Sequence, residues 1–297
     1  MYVRIFPYLV LARPANLVTA VADILTGAAI GGFFSHPVNA ENLFSLILLL
    51  IATIGLYGGG VIFNDVFDAE VDRKERPERP IPSGQVSEEN AAVFGSIMLL
   101  VGLVSATLVS FQSGFIALII VIFALSYDKF AKHHLLLGPL FMGLCRGANL
   151  LLGMSLFSRG LADYWGLAGL PILFIAAITI TSQNEVLGNN RPSLALAITL
   201  DLIVFSIILW LGFASIAKLK MLVPFLALWL SMNLWAKLKA LFDNQPANIM
   251  FAVKMAVLSL IPLDACYTAG FANWRIGLAV LALLPVSMLL GKHFAVT

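Results

Sequence analysis

The sequence is poor in charged residues. Only 11% of its 297 residues are Asp, Glu, Lys or Arg, whereas soluble domains average about 25%. Hydrophobic residues make up 60% of the chain, and its mean hydropathy is +0.96. This composition excludes an ordinary water-soluble domain and predicts an integral membrane protein. The formal net charge of +2 says little about partners, and no nucleic-acid partner is expected.

The residues that form disulfides and zinc sites are also scarce. The two cysteines, Cys145 and Cys266, are far apart in apolar surroundings, so neither a disulfide framework nor a thiolate metal site is predicted. Of the four histidines, His133 and His134 are adjacent but have no third ligand within sequence reach, which argues against zinc. We interpret the cysteines as small buried hydrophobic residues.

Ten apolar stretches of helical length, separated by Gly, Pro and charged residues, predict an all-α bundle that crosses the membrane. The fourth is short and the ninth contains Lys254 and Asp264, so nine crossings fit as well as ten. Residues 1–297 are predicted to form a single helical domain. The stretches cover about residues 17–34, 43–63, 91–111, 114–127, 136–157, 166–183, 194–216, 221–242, 248–270 and 275–291.

Basic residues are concentrated in the loops after alternate stretches. Positions 73, 74, 76 and 79 are basic after the second stretch, and Lys129 and Lys132 follow the fourth. Basic loops favour the cytoplasmic side of a membrane. We therefore predict a multi-pass protein with these loops in the cytoplasm, although the basic residues at positions 159, 218 and 220 fall on the opposite side.

An acidic cluster directly follows the second stretch, where residues 64–72 read NDVFDAEVD. At about 100° per residue, four oxygen-bearing side chains fall within one arc of roughly 100°, and Glu70 points elsewhere. Oxygen ligands on one face suit Mg²⁺, which usually binds a substrate phosphate through one or two carboxylates. The first hypothesis is a site for a phosphorylated lipid at the membrane edge. The four residues are Asn64, Asp65, Asp68 and Asp72.

A basic, proline-containing loop comes next, with the sequence RKERPERPIPSGQ at residues 73–85. Its three prolines prevent a continuous helix. Arginine side chains bind phosphate through a fork of N–H donors. The loop therefore places phosphate ligands beside the carboxylates, although topology alone also explains a basic loop at this position.

Together these motifs resemble the first signature of the UbiA superfamily of intramembrane aromatic prenyltransferases. The similarity covers most of the chain, and it implies a UbiA-type bundle of nine or ten transmembrane helices. The residues that carry it are Asn64-Asp65-x-x-Asp68-x-x-x-Asp72 and Arg79-Pro80-Ile81-Pro82-Ser83-Gly84, with Arg13-Pro14-x-Asn16 near the N-terminus and Tyr127-x-x-x-x-Lys132 with Gly138 after the fourth stretch.

The resemblance implies a function as well as a fold. We expect transfer of a prenyl group from a prenyl diphosphate to an aromatic or lipid acceptor in the membrane, with Mg²⁺ as cofactor. The expected partners are these substrates and membrane lipids, without an obligate protein partner. The resemblance makes Asp65, Asp68 and Asp72 catalytic and metal-binding candidates. Asn64, Arg79 and Lys132 are the corresponding substrate-binding candidates.

The second signature departs from the family pattern. Relatives usually have two or more aspartates after the sixth helix, whereas this chain reads TSQNEVLGNNRPS at residues 181–193. Neutral amides are weak ligands for a second Mg²⁺, so Glu185 is the expected catalytic and metal-binding acid. Asn184 and Arg191 are substrate-binding candidates. With Cys145-Arg146-Gly147-x-Asn149, this segment resembles the divergent EboC-type branch.

Polar residues inside the helices add candidates and leave alternatives open. Asn16 and Asp23, seven residues apart, share one helix face, and Arg146 shares another with Asn149. Asn16 and Arg146 are candidate substrate contacts, while a structural hydrogen bond explains Asp23 equally well. One alternative is a UbiA-like protein that binds an isoprenoid or aromatic ligand without transfer. The other is a transporter whose path is lined by the intramembrane charges.

The altered second signature predicts a high Mg²⁺ requirement. Asn184→Asp or Asn189→Asp adds a carboxylate, so each should lower the Mg²⁺ concentration needed for pyrophosphate release from prenyl diphosphates. Glu185→Gln should raise that concentration or abolish release. If the wild type already turns over at low Mg²⁺ and the added acids change nothing, Arg146 or Arg191 replaces the second metal as the counter-charge.

Overall fold

The computed structural model describes residues 5–35, 39–132, 134–182 and 190–294. These residues are helical almost throughout, with no strand among them, so the predicted all-α fold is confirmed. The helices are α1 (Ile5–Ala12), α2 (Pro14–Ile30), α3 (Ala40–Phe67), α4 (Ala69–Glu75), α5 (Glu88–Val109), α6 (Phe111–Ser126), α7 (Leu137–Met154), α8 (Ser158–Tyr164), α9 (Gly169–Ser182), α10 (Arg191–Phe213), α11 (Leu219–Phe242), α12 (Pro246–Leu258), α13 (Leu260–Phe271), α14 (Trp274–Leu281) and α15 (Leu283–Leu290).

Each of the ten apolar stretches predicted from the sequence corresponds to a helix or a helix pair. In the described part of the chain, eight of these are long and apolar enough to span a membrane. The pair α1 and α2, bent by 50°, makes a ninth span if it is counted as one. The tenth, Trp274–Leu290, is shorter. The fourth stretch is longer than predicted, because a π-helical turn, Tyr127–Ala131, continues α6.

Seven helices surround a central cavity in a ring of contacts, and within this ring α2 also packs directly on α7. Helix α2 packs on α3, α3 on α6, α6 on α7, α7 on α9, α9 on α12, α12 on α13, and α13 returns to α2. Each of these seven contributes to the cavity wall or adjoins it. The remaining long helices pack against ring members, with α5 on α3, α10 on α9, and α11 on α13.

Glycines allow two of these helix pairs to pack backbone against backbone. A Cβ atom on Gly27 of α2 would lie 2.3 Å from the carbonyl oxygen of Leu150 on α7. A Cβ atom on Gly55 of α3 would lie 2.5 Å from the carbonyl oxygen of Met98 on α5. Small residues at such contacts are typical of membrane helices. In lipid, the hydrophobic effect does not drive helices together, so close van der Waals packing must hold the pair.

A buried ion pair joins α10 to α11. Lys237 Nζ donates to Asp201 Oδ2 at 2.6 Å, and the two side chains are 0% and 1% exposed. The Lys237 ammonium also lies 5.6 Å from the centre of the Phe174 ring on α9, which adds a cation–π contact. Each charge is therefore neutralised inside the bundle, as intramembrane charges require.

The close contact between α2 and α7 predicts a destabilising effect of a single methyl group. Gly27→Ala should lower the free energy of unfolding by roughly 1–3 kcal/mol, because the added carbon meets backbone atoms that cannot move aside easily. Gly169→Ala is the matched control, since a Cβ there meets no atom within 4 Å. Thermal unfolding in one detergent compares the two variants. Equal midpoints would contradict the predicted packing.

Candidate active site

The acidic cluster lies where α3 ends. The last residue of α3 is Phe67, and Asp68 caps the helix before α4 begins at Ala69. The chain stays closely wound, since the N–H of Asp72 donates to the carbonyl oxygen of Asp68 at 2.8 Å. Residues 64–72 thus stay helical through Asp68, whose own N–H donates to the carbonyl oxygen of Asn64 at 3.0 Å, and α3 and α4 are separated at that residue alone. The side chains of the cluster separate into two groups with different partners.

The first group is held by two arginines. Arg79 Nη1 donates to Asp72 Oδ2 at 2.6 Å and to Asp65 Oδ1 at 3.3 Å. Arg13 Nη2 donates to the same Asp65 oxygen at 2.7 Å. Asp65 and Asp72 are only 6% and 5% exposed, so these charge-assisted bonds replace water as their solvation.

A small hydrophobic core fixes the loop that carries Arg79. Ile81 and Val86 are buried against Ile62 at the end of α3 and Ala69 at the start of α4. The N–H of Val86 also donates to the carbonyl oxygen of Pro80 at 3.0 Å. The loop therefore holds the Arg79 side chain against the acidic residues instead of leaving it in solvent.

Arg13 reaches Asp65 from a strained backbone position. It has φ 46° and ψ 66°, in the left-handed region, which costs a residue with a side chain about 1–3 kcal/mol. The chain bends by 50° there, and Pro14 then occupies the first turn of α2, where its missing N–H is not needed. The sequence placed Arg13 only within a motif and not among the site residues. The adjacent Arg-Pro pair was the available signal.

The second group joins the end of α3 to the π-helical turn. Asn64 Nδ2 donates to Asp128 Oδ1 at 2.8 Å, and the Lys132 ammonium pairs with the Asp68 carboxylate. The partners are four residues apart on each segment, so the two helix ends lie side by side for one turn. The π geometry is seen in the bond from the N–H of Lys132 to the carbonyl oxygen of Tyr127, at 3.0 Å. Asp128 was missed by the sequence reasoning, although it lies within the Tyr127–Lys132 motif.

Both groups adjoin the central cavity, which has a volume of about 340 Å³. Arg13, Asn64 and Asp128 are in its lining and connect it to the charged cluster. Most of the remaining wall is apolar. The apolar lining residues include Leu56, Val61, Ile120, Met142, Ile175, Ile178, Val257 and Leu260.

A polar network forms the wall of the cavity between α2 and α7. Arg146 donates through Nη1 to Thr19 Oγ1 at 3.0 Å and through Nη2 to the carbonyl oxygen of Thr19 at 2.8 Å. Its Nε lies 2.6 Å from Asp23 Oδ2. Asn149 Nδ2 donates to the same Asp23 oxygen at 2.9 Å. The guanidinium of Arg146 is thus already neutralised by a protein carboxylate, although its side chain lines the cavity together with Asn16.

The predicted site residues fall into four sets. Asn16, Asn64 and Arg146 line the cavity. Arg191 is exposed at the start of α10 and is not part of the lining. Glu185 and Asn184 lie outside the described residues. The other candidates, Asp65, Asp68, Asp72, Arg79 and Lys132, form the cluster beside the cavity.

The oxygen donors of the cluster fit a Mg²⁺ ion that is also bound by substrate phosphates. Among the described residues, no group of three His, Cys, Asp or Glu side chains could hold a metal ion. A cage made only of protein ligands is therefore not built by this part of the chain. Asn64, Asp68 and Asp128 nevertheless offer hard oxygen donors beside the cavity. Such a set fits Mg²⁺, which keeps waters and is usually held by one or two carboxylates together with substrate phosphates.

The fold and the site define a polytopic helical membrane protein whose apolar cavity has a charged end. The chain belongs to the UbiA prenyltransferase family, whose model matches residues 24–248. The family membership predicted from the motifs is confirmed. The finer resemblance to the EboC-type branch stays a prediction.

Similar proteins agree with this family. The chain is 34% identical to the digeranylgeranylglyceryl phosphate synthase of Sulfurisphaera tokodaii over 164 aligned residues. The aligned region covers 53% of this chain and 57% of that protein. The chain spans about half the length of the first curated relatives it matches.

Two solved structures share the fold. A digeranylgeranylglyceryl phosphate synthase structure has a TM-score of 0.69 at 21% identity and covers 91% of this chain and 99% of that one. A UbiA homologue from Archaeoglobus fulgidus bound to GPP and Mg²⁺ has a TM-score of 0.61 at 15% identity, over 93% of this chain and 99% of that one.

The shared arginine of the first group predicts a stability effect. Arg79→Gln leaves the buried Asp72 carboxylate without its cation, so it should lower the free energy of unfolding by on the order of 2 kcal/mol. The loss is smaller than for a fully buried ion pair, because the Arg79 side chain is 17% exposed. Arg73→Gln is the control, because Arg73 is 57% exposed and 3.7 Å from Glu88, and its loss should cost under about 1 kcal/mol. Thermal unfolding of both variants is the measurement. A similar loss in both would show that Arg79 does not hold the cluster.

Proposed function

We propose that this protein is a Mg²⁺-dependent prenyltransferase, which moves a prenyl group from a prenyl diphosphate to a hydrophobic acceptor inside the membrane. The observation that carries this proposal is the cluster of three cations and four carboxylates at one end of an apolar cavity. A charged end and an apolar body match a diphosphate headgroup and an isoprenoid tail. The named relatives and the homologue bound to GPP and Mg²⁺ support the proposal.

The charge of the cluster favours a requirement for divalent cations. Its cations contribute +3 and its carboxylates −4 when all are ionised, which leaves −1. A polyanionic diphosphate would be repelled by that charge without a metal ion. Asp68, which caps α3, would hold Mg²⁺ with Asn64 beside it, and the bound ion would stabilise the departing diphosphate. The counted residues are Arg13, Arg79 and Lys132 with Asp65, Asp68, Asp72 and Asp128.

The cations of the cluster have donors to spare for a substrate. A guanidinium has five N–H donors and an ammonium has three, and the recorded bonds use only part of them in Arg13, Arg79 and Lys132. We propose that the remaining donors bind the diphosphate oxygens. Because these side chains are already held by carboxylates, they are preorganised where negative charge develops on the leaving group.

When the C–O bond of a prenyl diphosphate ionises and the diphosphate leaves, an allylic cation remains, and the body of the cavity would hold it. Its apolar wall excludes water, which would otherwise capture the cation before the acceptor does. Tyr57 and Tyr127 also line the cavity, and an aromatic face stabilises a nearby cation. We propose that the polar wall formed by Thr19, Arg146 and Asn149 faces the reacting group of the acceptor.

We infer that the charged end of the bundle faces the cytoplasm. Arg73, Lys74 and Arg76 are exposed in the segment that adjoins the cluster, and basic residues next to membrane spans favour the cytoplasmic side. The prenyl diphosphate would then enter from that side.

The proposed function predicts a difference between two acidic residues two positions apart. Asp68→Asn keeps the shape of the side chain but removes its charge, so it should lower pyrophosphate release from GPP by at least about tenfold at fixed Mg²⁺, a loss typical even of residues that only support a metal ligand. Glu70→Gln is the matched control, because Glu70 is exposed and belongs to neither group of the cluster. Equal effects would contradict the role of Asp68.

The same assay separates the proposed function from its alternative. If the purified wild-type protein binds GPP but releases no pyrophosphate with any acceptor or Mg²⁺ concentration, it binds or transports an isoprenoid without transfer.

A further inference from the structure

Asp128 has a carboxylate oxygen without a hydrogen-bond partner in the described part of the chain. The residue is 4% exposed and lines the cavity. Its Oδ1 accepts the hydrogen bond from Asn64, whereas its Oδ2 is buried and has no hydrogen-bond partner within the described chain. A buried carboxylate oxygen without a partner is costly. This oxygen therefore calls for a ligand that enters from the cavity.

The neighbours of Asp128 identify the chemistry of that ligand. The nearby ammonium of Lys132 pairs with Asp68, and no hydrogen bond from it reaches Asp128 Oδ2. A carboxylate accepts hydrogen bonds and binds cations, and it repels phosphate oxygens. The occupant must therefore bring positive charge or a donor group, and it cannot be the diphosphate alone.

The position of Asp128 favours a metal ion over the acceptor. Asp128 accepts a hydrogen bond from Asn64 at the charged end of the cavity, where we propose that the diphosphate binds, beside the pair of Asp68 and Lys132. The wall that we assign to the acceptor lies instead on α2 and α7, around Arg146. An oxygen ligand at the diphosphate end suits a hard divalent cation.

We propose that Asp128 is a further contact for the divalent cation that accompanies the prenyl diphosphate, with Asn64 as the residue that positions it. This proposal rests on the proposed function. The cation would be shared between two helices, with Asp68 at the end of α3 and Asp128 on the π-helical turn after α6. The first acidic signature then does not act alone, because a residue outside both acidic signatures adds a carboxylate.

Binding of Mn²⁺ tests the proposal without turnover. Free Mn²⁺ is measured by electron paramagnetic resonance while purified protein is titrated with the ion, in the presence of the unreactive analogue geranyl thiolodiphosphate. Asp128→Asn keeps the size of the side chain and removes its charge, so the affinity for Mn²⁺ should fall by at least about tenfold. Asp163→Asn is the control, since the Asp163 side chain is 55% exposed and faces Arg159. The affinity of this variant for Mn²⁺ should equal that of the wild type.

A second variant tests the role of Asn64 and covers a failure of Asp128→Asn to fold. Asn64→Ala leaves Asp128 charged but removes the amide that holds it, so the affinity for Mn²⁺ should fall by a smaller factor. Asn64→Gln, which keeps the amide group, should retain more of the affinity than Asn64→Ala. If Asp128→Asn does not fold, Asp128→Glu, which moves the carboxylate by one methylene, should also weaken Mn²⁺ binding.

The outcomes separate this proposal from the proposed function. If the wild type binds Mn²⁺ with the analogue and the Asp128 and Asn64 variants bind it equally well, the role of Asp128 is overturned while the proposed function stands. If the wild type binds neither Mn²⁺ nor the analogue, both proposals are overturned.

Discussion

The ion pair of Arg146 in the middle of the bundle is the constraint on which the cavity depends. Its guanidinium lies 2.6 Å from Asp23 on α2 and 3.7 Å from Asp264 on α13. One turn later on α7, Asn149 donates to Asp23 and accepts from Thr53 on α3. A charge buried among lipid-facing helices is costly without such partners. The helices that form the wall are therefore held in place by the same side chains that line it.

The charged end of the cavity is built differently, from contacts between separate segments. Arg13 precedes α2, Arg79 lies in a loop, and Lys132 follows the π-helical turn, yet each meets a carboxylate at the end of α3 or in α4. A ligand at this end would bind the N–H donors that these ion pairs leave free. The polar wall is held by bonds between α2 and α7, whereas the charged end is held by ion pairs between segments distant in the sequence.

The sequence predicted the helices well because a bilayer leaves few choices for an apolar stretch of spanning length. It could not predict which side chains pair across segments. The periodicity of residues 64–72 places four side chains in one arc, but Asp68 pairs with Lys132, 64 residues away, whereas Asp65 and Asp72 pair with Arg79. The fourth stretch ends early by hydropathy, yet the π-helical turn continues it past Asp128, whose carboxylate accepts a hydrogen bond from Asn64 on α3. A pattern within one helix cannot report a partner on another, and the family motif directed attention to Tyr127 and Lys132 instead.

The buried pair of Lys237 and Asp201 has a consequence for biosynthesis. Asp201, at the centre of α10, would alone cost about 2.5–3.5 kcal/mol in a helix inserted by the translocon, and Lys237, nearer the end of α11, would cost less. The pair joins α10 to α11, which are consecutive in the chain and are packed against each other. Their insertion as a helical hairpin, with the two charges already in contact, would keep both from facing lipid alone. Because α10 and α11 are synthesised one after the other, the ion pair between them can form as soon as both helices have been made.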